Sequence, residues 1–280
     1  MNRRAWFGML GVLVLSACGS GSSGGNAAGT AASAALPTVN SVPEPATPTP
    51  ATKKAATPKK PLVVGFGDSV PAGGGGCNCV NFVSAYANIV AKNTGGKPGV
   101  DNFAVSGSTS ADFLDQLSDS KVRAAVADAT DILIMTGAND YNDAFDQASL
   151  GGSAGKLYPP VAAAVEDNVT SAINKIQDLN STAHVVVLDY WASMEDGAVA
   201  AKDYDATAMA ASIACTASTN QALLLAAKAT GATYVSTYTA FKGVNGAKDD
   251  TDLLQPDGDH PDPAGHQVIA QAIAAVYPRG

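Results

Sequence analysis

From Pro61 to the carboxyl terminus, short apolar runs of strand length alternate with longer runs of helical periodicity. No other feature of the chain limits its fold as much. Such alternation makes βαβ units, and these assemble into a parallel sheet covered by helices. The expected strands are Leu62–Gly65, Val100–Ala104, Ile132–Thr136, His184–Leu188 and Thr233–Val235. The expected helices are Val80–Ala91, Ser110–Leu117, Lys121–Asp128, Val161–Leu179, Ala206–Ala229 and Pro263–Val276. About five parallel strands with helices on both faces give an α/β fold, the three-layer α/β/α sandwich. Sites in such sheets lie at the carboxyl ends of strands. Two stretches, Asp143–Gly155 and Trp191–Asp205, read instead as surface excursions able to line a substrate groove.

The charge is unevenly placed. Residues 1–61 hold six of the 17 basic side chains and one acid, Glu44, so residues 62–280 carry 11 basic and 24 acidic groups, a net of −13. A body that acidic repels phosphate backbones, which argues against nucleic acid as a partner. Hydrophobic residues make up 46% of the chain and charged residues 15%, enough for a sizeable core.

The first residues have the layout of an export signal. Arg3 and Arg4 precede an apolar run from Ala5 to Leu15, and small residues follow. The run is short for a membrane span. Leu15-Ser16-Ala17-Cys18 resembles a bacterial lipobox. That resemblance implies cleavage before Cys18, diacylation of its sulfur and attachment to the outer face of a bacterial membrane through the acyl chains. Residues 1–17 are then a lipoprotein signal peptide. Residues 18–60, rich in Gly, Ser, Ala, Thr and Pro, are a tether that cannot bury a core. Residues 61–280 are the folded domain.

Three cysteines remain: Cys77, Cys79 and Cys215. In an exported protein a disulfide is the default. Cys77 and Cys79 are too close in sequence for an easy ring, so Cys215 is expected to pair with one of them. Metal ligation by Cys77 and Cys79 is the alternative, but no second ligand pair with zinc spacing appears.

The strand Leu62–Gly65 runs into a tight turn that stops at Ser69, where an open α/β sheet presents a nucleophile. A serine hydrolase also needs a base and donors for the developing oxyanion. His260 lies in an Asp/Gly-rich loop before a Pro, and Asp257, three residues earlier, can curl back to its Nδ1. Asp259 is the second candidate for that role. His184 opens a strand and His266 sits in the last helix, so both read as packing residues. Gly107 N–H, Ser69 N–H and the Asn139 side-chain amide can serve the oxyanion. Gly151–Gly155 fits the Gly-x-Ser-x-Gly elbow of another hydrolase class, but no strand precedes it. The run Gly73–Gly76 lacks the Lys-Ser/Thr of a phosphate loop.

Taken together, these blocks resemble the SGNH/GDSL hydrolase family. Gly67-Asp68-Ser69 matches its first block, Asn102-Phe103-Ala104-Val105-Ser106-Gly107 its second, Gly137-Ala138-Asn139-Asp140 its third and Asp257-Gly258-Asp259-His260 its last. The resemblance covers roughly residues 62–280. It implies a flavodoxin-like sandwich and a serine esterase without metal or organic cofactor. Ser69 is then the nucleophile, His260 the base and Asp257 its orienter; Ser69, Gly107 and Asn139 form the oxyanion hole. Val70-Pro71-Ala72 and the glycine run replace the commoner leucine-containing continuation after the serine. The expected substrate is a small-molecule or glycan carboxylic ester. A carbohydrate O-acetyl esterase and a non-catalytic glycan- or lipid-binding module are the alternatives.

Overall fold

In a computed structural model of the protein, residues 60–96 and 98–277 are described. The signal segment, Cys18 and all of the tether except Lys60 lie outside the described residues. Among the described residues, none of the helices is long and apolar enough to cross a membrane.

The strands are β1 (Leu62–Gly67), β2 (Gly99–Asn102), β3 (Asp131–Met135), β4 (His184–Leu188) and β5 (Thr233–Val235). They form one sheet in the order β2-β1-β3-β4-β5, with every pairing parallel. The central strands β1 and β3 are almost wholly buried, whereas most of β2 at the edge is exposed. A parallel strand covered on both faces must be apolar along its whole length, which is how Leu62–Phe66 and Ile132–Met135 read.

The helices are α1 (Ser69–Ala72), α2 (Phe82–Thr94), α3 (Ser110–Gln116), α4 (Ser120–Asp128), α5 (Asn142–Ser149), α6 (Ala154–Leu179), α7 (Gly197–Asp203), α8 (Ala206–Thr230), α9 (Thr237–Lys242) and α10 (Pro263–Val276). Their ends follow local chemistry. Thr109 and Asp112 form a capping box at the start of α3. Asp205 caps α8, which Gly231 ends in the left-handed region. Asp262 accepts from Gly265 N–H at 2.8 Å, and Pro263 opens α10. The helices pack as two groups, α2 with α9 and α10, and α6 with α3, α4, α5 and α8, the outer layers of the sandwich.

Three sequence expectations need correction. The two excursions are partly helical: they contain α5 and α7, and Trp191 is buried and stacked on Phe241 with ring centroids 4.4 Å apart. Helix α6 begins at Ala154 rather than Val161 and runs through Pro159 and Pro160. Tyr158 anchors that first part: it is buried, meets Tyr141 edge-on and donates its Oη–H to the Ala211 carbonyl at 3.0 Å. Finally, Cys215 pairs with neither Cys77 nor Cys79. Those two are joined to each other, with Cα atoms 5.1 Å apart. Cys215 is a free, buried thiol on α8. Its helix belongs to the layer of α6, whereas the Cys77–Cys79 loop lies against His266 of α10, in the other layer.

Candidate active site

Strand β1 ends at Gly67, whose φ of +131° lies in the left-handed region. A Cβ there would collide with the Met135 carbonyl, so only glycine lets the chain turn against β3 at this point. Asp68 follows and is buried. Its Oδ1 accepts from Val70 N–H at 3.1 Å, its own N–H donates to Met135 O at 3.2 Å, and Tyr190 donates its phenol proton to Oδ2. Burial pushes the Asp68 carboxyl up to about 7, against the opposing pull of the Tyr190 and Val70 hydrogen bonds. Ser69 is thus the first residue of a short helix fixed by a buried carboxyl group, and it is half-buried and lines a cavity.

His260 and Asp257 line the same cavity. His260 Nδ1 lies 2.8 Å from Asp257 Oδ2, while Asp257 Oδ1 accepts the backbone N–H groups of Asp259 at 3.1 Å and His260 at 3.0 Å. Burial alone would raise the Asp257 carboxyl. The two backbone donors and the His260 ring outweigh it and hold the group below the usual carboxylate range. Asp259 Oδ2 stands farther from Nδ1, at 3.7 Å, and burial raises its carboxyl.

The loop after α1 joins these two parts. Gly74 approaches both Ser69 and His260: a Cβ on it would lie 2.8 Å from Ser69 Cβ and 3.1 Å from His260 Cδ2. Gln255 donates to the Gly74 carbonyl at 3.0 Å and to Pro261 O at 3.0 Å, tying the glycine run to the histidine loop.

Asn139 also lines the cavity, in the turn after β3. Its Nδ2 donates to Ser108 O at 2.9 Å. The next residue fastens that turn. Asp140 accepts from Ser110 N–H at 2.8 Å and from Ser110 Oγ–H at 2.6 Å, and Asn168 donates to the same hydroxyl at 3.0 Å. Gly107 sits in the left-handed region at φ +83° and is exposed. It lines a separate shallow depression with Ser106, Ser108 and Asp112 rather than the Ser69 cavity. Its segment is nevertheless held to the end of β1, since Val105 N–H and Ser108 Oγ–H both donate to Gly67 O at 2.9 Å.

The cavity measures about 470 Å³, in the range of small-ligand sites. Its rim is polar and acidic, with Asn142, Asp146, Glu195 and Asp259, and Phe145 and Met194 add apolar surface. Burial and the nearby Asp203, Asp259 and Asp257 raise the Glu195 carboxyl. A second groove of about 620 Å³ shares Ala192 and Glu195 with it and has more apolar walls, Trp191, Met209 and Ile213 among them.

The other histidines fall where packing residues belong. The His184 ring bonds Thr233 Oγ1 at 2.9 Å and stacks on Tyr277. His266 is fully buried beside Phe82, and burial pushes its imidazole down to about 4. Ser153 occupies the N-cap position of α6. Sequence reading missed Tyr190, Gly74 and Gln255. Tyr190 carried a signal, since it stands two residues after β4 at the carboxyl rim of the sheet.

The model of the GDSL-like lipase/acylhydrolase family matches residues 66–268. A search of curated proteins gives no match. Among solved structures, the lipase Lip_vut3 from a goat rumen metagenome superposes with a TM-score of 0.63 at 18% identity, covering 78% of this chain and 98% of its own. A catalytic mutant of Axe2, an acetylxylan esterase from Geobacillus stearothermophilus, gives 0.57 at 18% identity over 79% of this chain and 96% of its own. An extracellular lipase from Streptomyces rimosus gives 0.57 at 19% identity over 77% and 99%. At such identities these likenesses speak for the fold. The family match starts within β1, ahead of the serine turn, and ends within α10, beyond the histidine loop, so the chain belongs to the GDSL-like lipase/acylhydrolase family and is a serine hydrolase acting on ester bonds.

Proposed function

We propose that the protein is an exported carboxylic-ester hydrolase working through an acyl-enzyme on Ser69. Ser69 Oγ attacks the ester carbonyl while His260 Nε2 takes its proton. His260 then hands that proton to the departing alcohol, and a water activated by the same imidazole releases the acid. Asp257 accepts Nδ1–H, which fixes the tautomer that leaves Nε2 free and stabilises the imidazolium. Ser69 N–H and the Asn139 amide serve the oxyanion; Gly107, the third donor implied by the family resemblance, lies outside the Ser69 cavity. The observation that carries this reading is the 2.8 Å His260–Asp257 contact in the cavity that Ser69 also lines.

The Arg3–Cys18 leader supports export and a lipid anchor on Cys18. The extracellular lipase among the similar structures is consistent with export.

The test is hydrolysis of nitrophenyl esters from acetate to palmitate by the full chain. Ser69→Ala and His260→Ala should abolish turnover above background, and Asn139→Ala should lower kcat by about a hundredfold or more. Full activity in Ser69→Ala would sink the mechanism. Mass spectrometry of the exported protein for a diacylated Cys18 tests the anchor; an unmodified cysteine refutes it.

A glycan O-acetyl ester is the second reading, and the polar rim favours it. Asn142, Asp146, Glu195 and Asp259 offer acceptors for the hydroxyls of a carbohydrate alcohol. Release of acetate from acetylated oligosaccharides at a kcat/KM well above that for nitrophenyl acetate supports this class; the reverse ratio refutes it.

A further inference from the structure

Cys77, Cys79 and His266 come together beside the catalytic loops. One ligand atom of each lies within 4.8 Å of the other two. The two cysteines belong to the loop that leaves α1 behind Ser69, while His266 stands in the first turns of α10, six residues after His260.

His266 is the unusual member. It is fully buried, and neither Nδ1 nor Nε2 has a hydrogen-bond partner among the described residues. A buried neutral imidazole ordinarily satisfies at least one of its two nitrogens, because an unmet polar atom in the interior is costly. Here the ring is held against Phe82, with centroids 6.3 Å apart, and the two sulfurs lie within 4.8 Å of one of its nitrogens. Two sulfurs and one imidazole, half-exposed on the loop side and closed on the helix side, form the donor set of a three-ligand site with an open position.

We propose that the dithiol form of Cys77 and Cys79, together with His266, binds one thiophilic d10 cation, Zn(II) or Cu(I). Thiolate and imidazole donors select such ions over hard cations such as Mg(II) or Ca(II). In the disulfide form seen here the sulfurs are bonded to each other and the site is closed to metal. Opening it requires a dithiol reductant, which gives two electrons and two protons to the Cys77–Cys79 bond and is itself oxidised to a disulfide. Metal uptake then releases the two thiol protons to solvent. The bound ion would link the segment behind Ser69 to the helix behind His260. This role belongs to the fold around the site and does not depend on which ester is cleaved.

The experiment uses the full chain carrying Cys18→Ser, so that the leader thiol cannot compete, reduced with a dithiol and desalted without oxygen. Co(II), standing in for Zn(II), is titrated and read by thiolate-to-cobalt charge-transfer absorption; Cu(I) is titrated against a chromophoric chelator. Expected is one metal per chain in at least one of the two titrations, and none in the oxidised protein or in the Cys77→Ser/Cys79→Ser double variant. Loss of an outer-shell partner alone typically weakens metal sites by about 10- to 100-fold, so His266→Gln should lose about a hundredfold or more. If that variant does not fold, the 15N shifts of the His266 ring in the otherwise unaltered protein report ligation directly. A reduced, folded protein that takes up neither ion overturns the proposal. So do unchanged affinity in His266→Gln and His266 shifts that do not move on saturation.

Discussion

Asp257 holds His260 at two points: its Oδ2 lies 2.8 Å from the ring Nδ1, and its Oδ1 accepts the same residue's backbone N–H at 3.0 Å. The carboxylate therefore fixes both the position of the loop and the rotation of the imidazole. Asp259, adjacent in sequence, is 3.7 Å from Nδ1, and no backbone donor is directed to it in this turn. The two acids should separate cleanly. Asp257→Asn is expected to lower kcat by on the order of a thousandfold or more, since the amide disfavours the tautomer the base needs. Asp259→Asn should leave kcat/KM within about fivefold, the effect of one partly solvated charge. Equal losses in both variants would contradict the assignment.

Gly74 packs against both Ser69 and His260. Its φ is not in the left-handed region, so alanine is tolerated by the backbone itself. A Cβ would nonetheless lie 2.8 Å from Ser69 Cβ, 2.9 Å from Ser69 O and 3.1 Å from His260 Cδ2. Something must move, and the neighbours such a Cβ presses on are Ser69 and His260. A displacement near 1 Å costs about a hundredfold in rate, so Gly74→Ala should lose that much kcat while remaining folded by circular dichroism. Gly76→Ala is the control. Its Cβ meets nothing within 4 Å, although its φ of +76° strains the loop. If Gly76→Ala is as damaging as Gly74→Ala, loop strain rather than steric displacement is the cause.

Asp68 imposes a pH dependence on stability. Its carboxyl titrates near pH 7 in the folded protein because it is buried, against 3.8 for an ordinary aspartate. Between those values the folded chain binds a proton that the unfolded chain has released. Stability therefore falls as pH rises from about 4 to 7 and levels off above it. Three units correspond to about 4 kcal/mol at most. Asp68→Asn keeps an oxygen for Val70 N–H and never ionises, so it should be more stable than the parent above pH 7 and lose this slope. Urea unfolding from pH 4 to 8 measures both, and parallel profiles would clear Asp68 of the effect.

Much of this architecture could be read from residue order because apolar strand runs are unambiguous when both faces are buried. β4, β5 and α10 have the bounds expected, and β1 merely extends through Phe66 to Gly67. Helix α5 was hidden because Asn142–Ser149 is mostly polar and of weak helical propensity, with only Ala144 and Ala148 buried. The start of α6 was hidden by Pro159 and Pro160, whose missing N–H groups are offset by the packing of Tyr158. The Ser69, Asn139 and His260 turns were legible because each follows a strand or a loop of marked composition. What short motifs could not convey was contact between distant segments. Tyr190 reaching Asp68, Gln255 reaching Gly74 and His266 reaching the Cys77–Cys79 loop each join positions more than 100 residues apart.

The rim sets a preference by charge. Asp146, Glu195, Asp257 and Asp259 line one cavity in a body of net charge −13. Burial and three like-charged neighbours raise Glu195, a sign that its ionised form sits in a negative field. An ester whose alcohol bears a carboxylate must enter that field. A unit charge about 4 Å away contributes about 1 kcal/mol even at the dielectric of water, a factor of about five in kcat/KM. The field of several acids should therefore leave an anionic ester at least about fivefold poorer than its neutral isostere, mostly through KM. Salt at ~0.5 M, where screening lengths fall well below 10 Å, should narrow the gap, and Glu195→Gln should narrow it at low salt without changing the neutral substrate's kcat. An anionic ester cleaved as well as the neutral one at low ionic strength would mean that the acyl and alcohol groups leave by a path that avoids the rim.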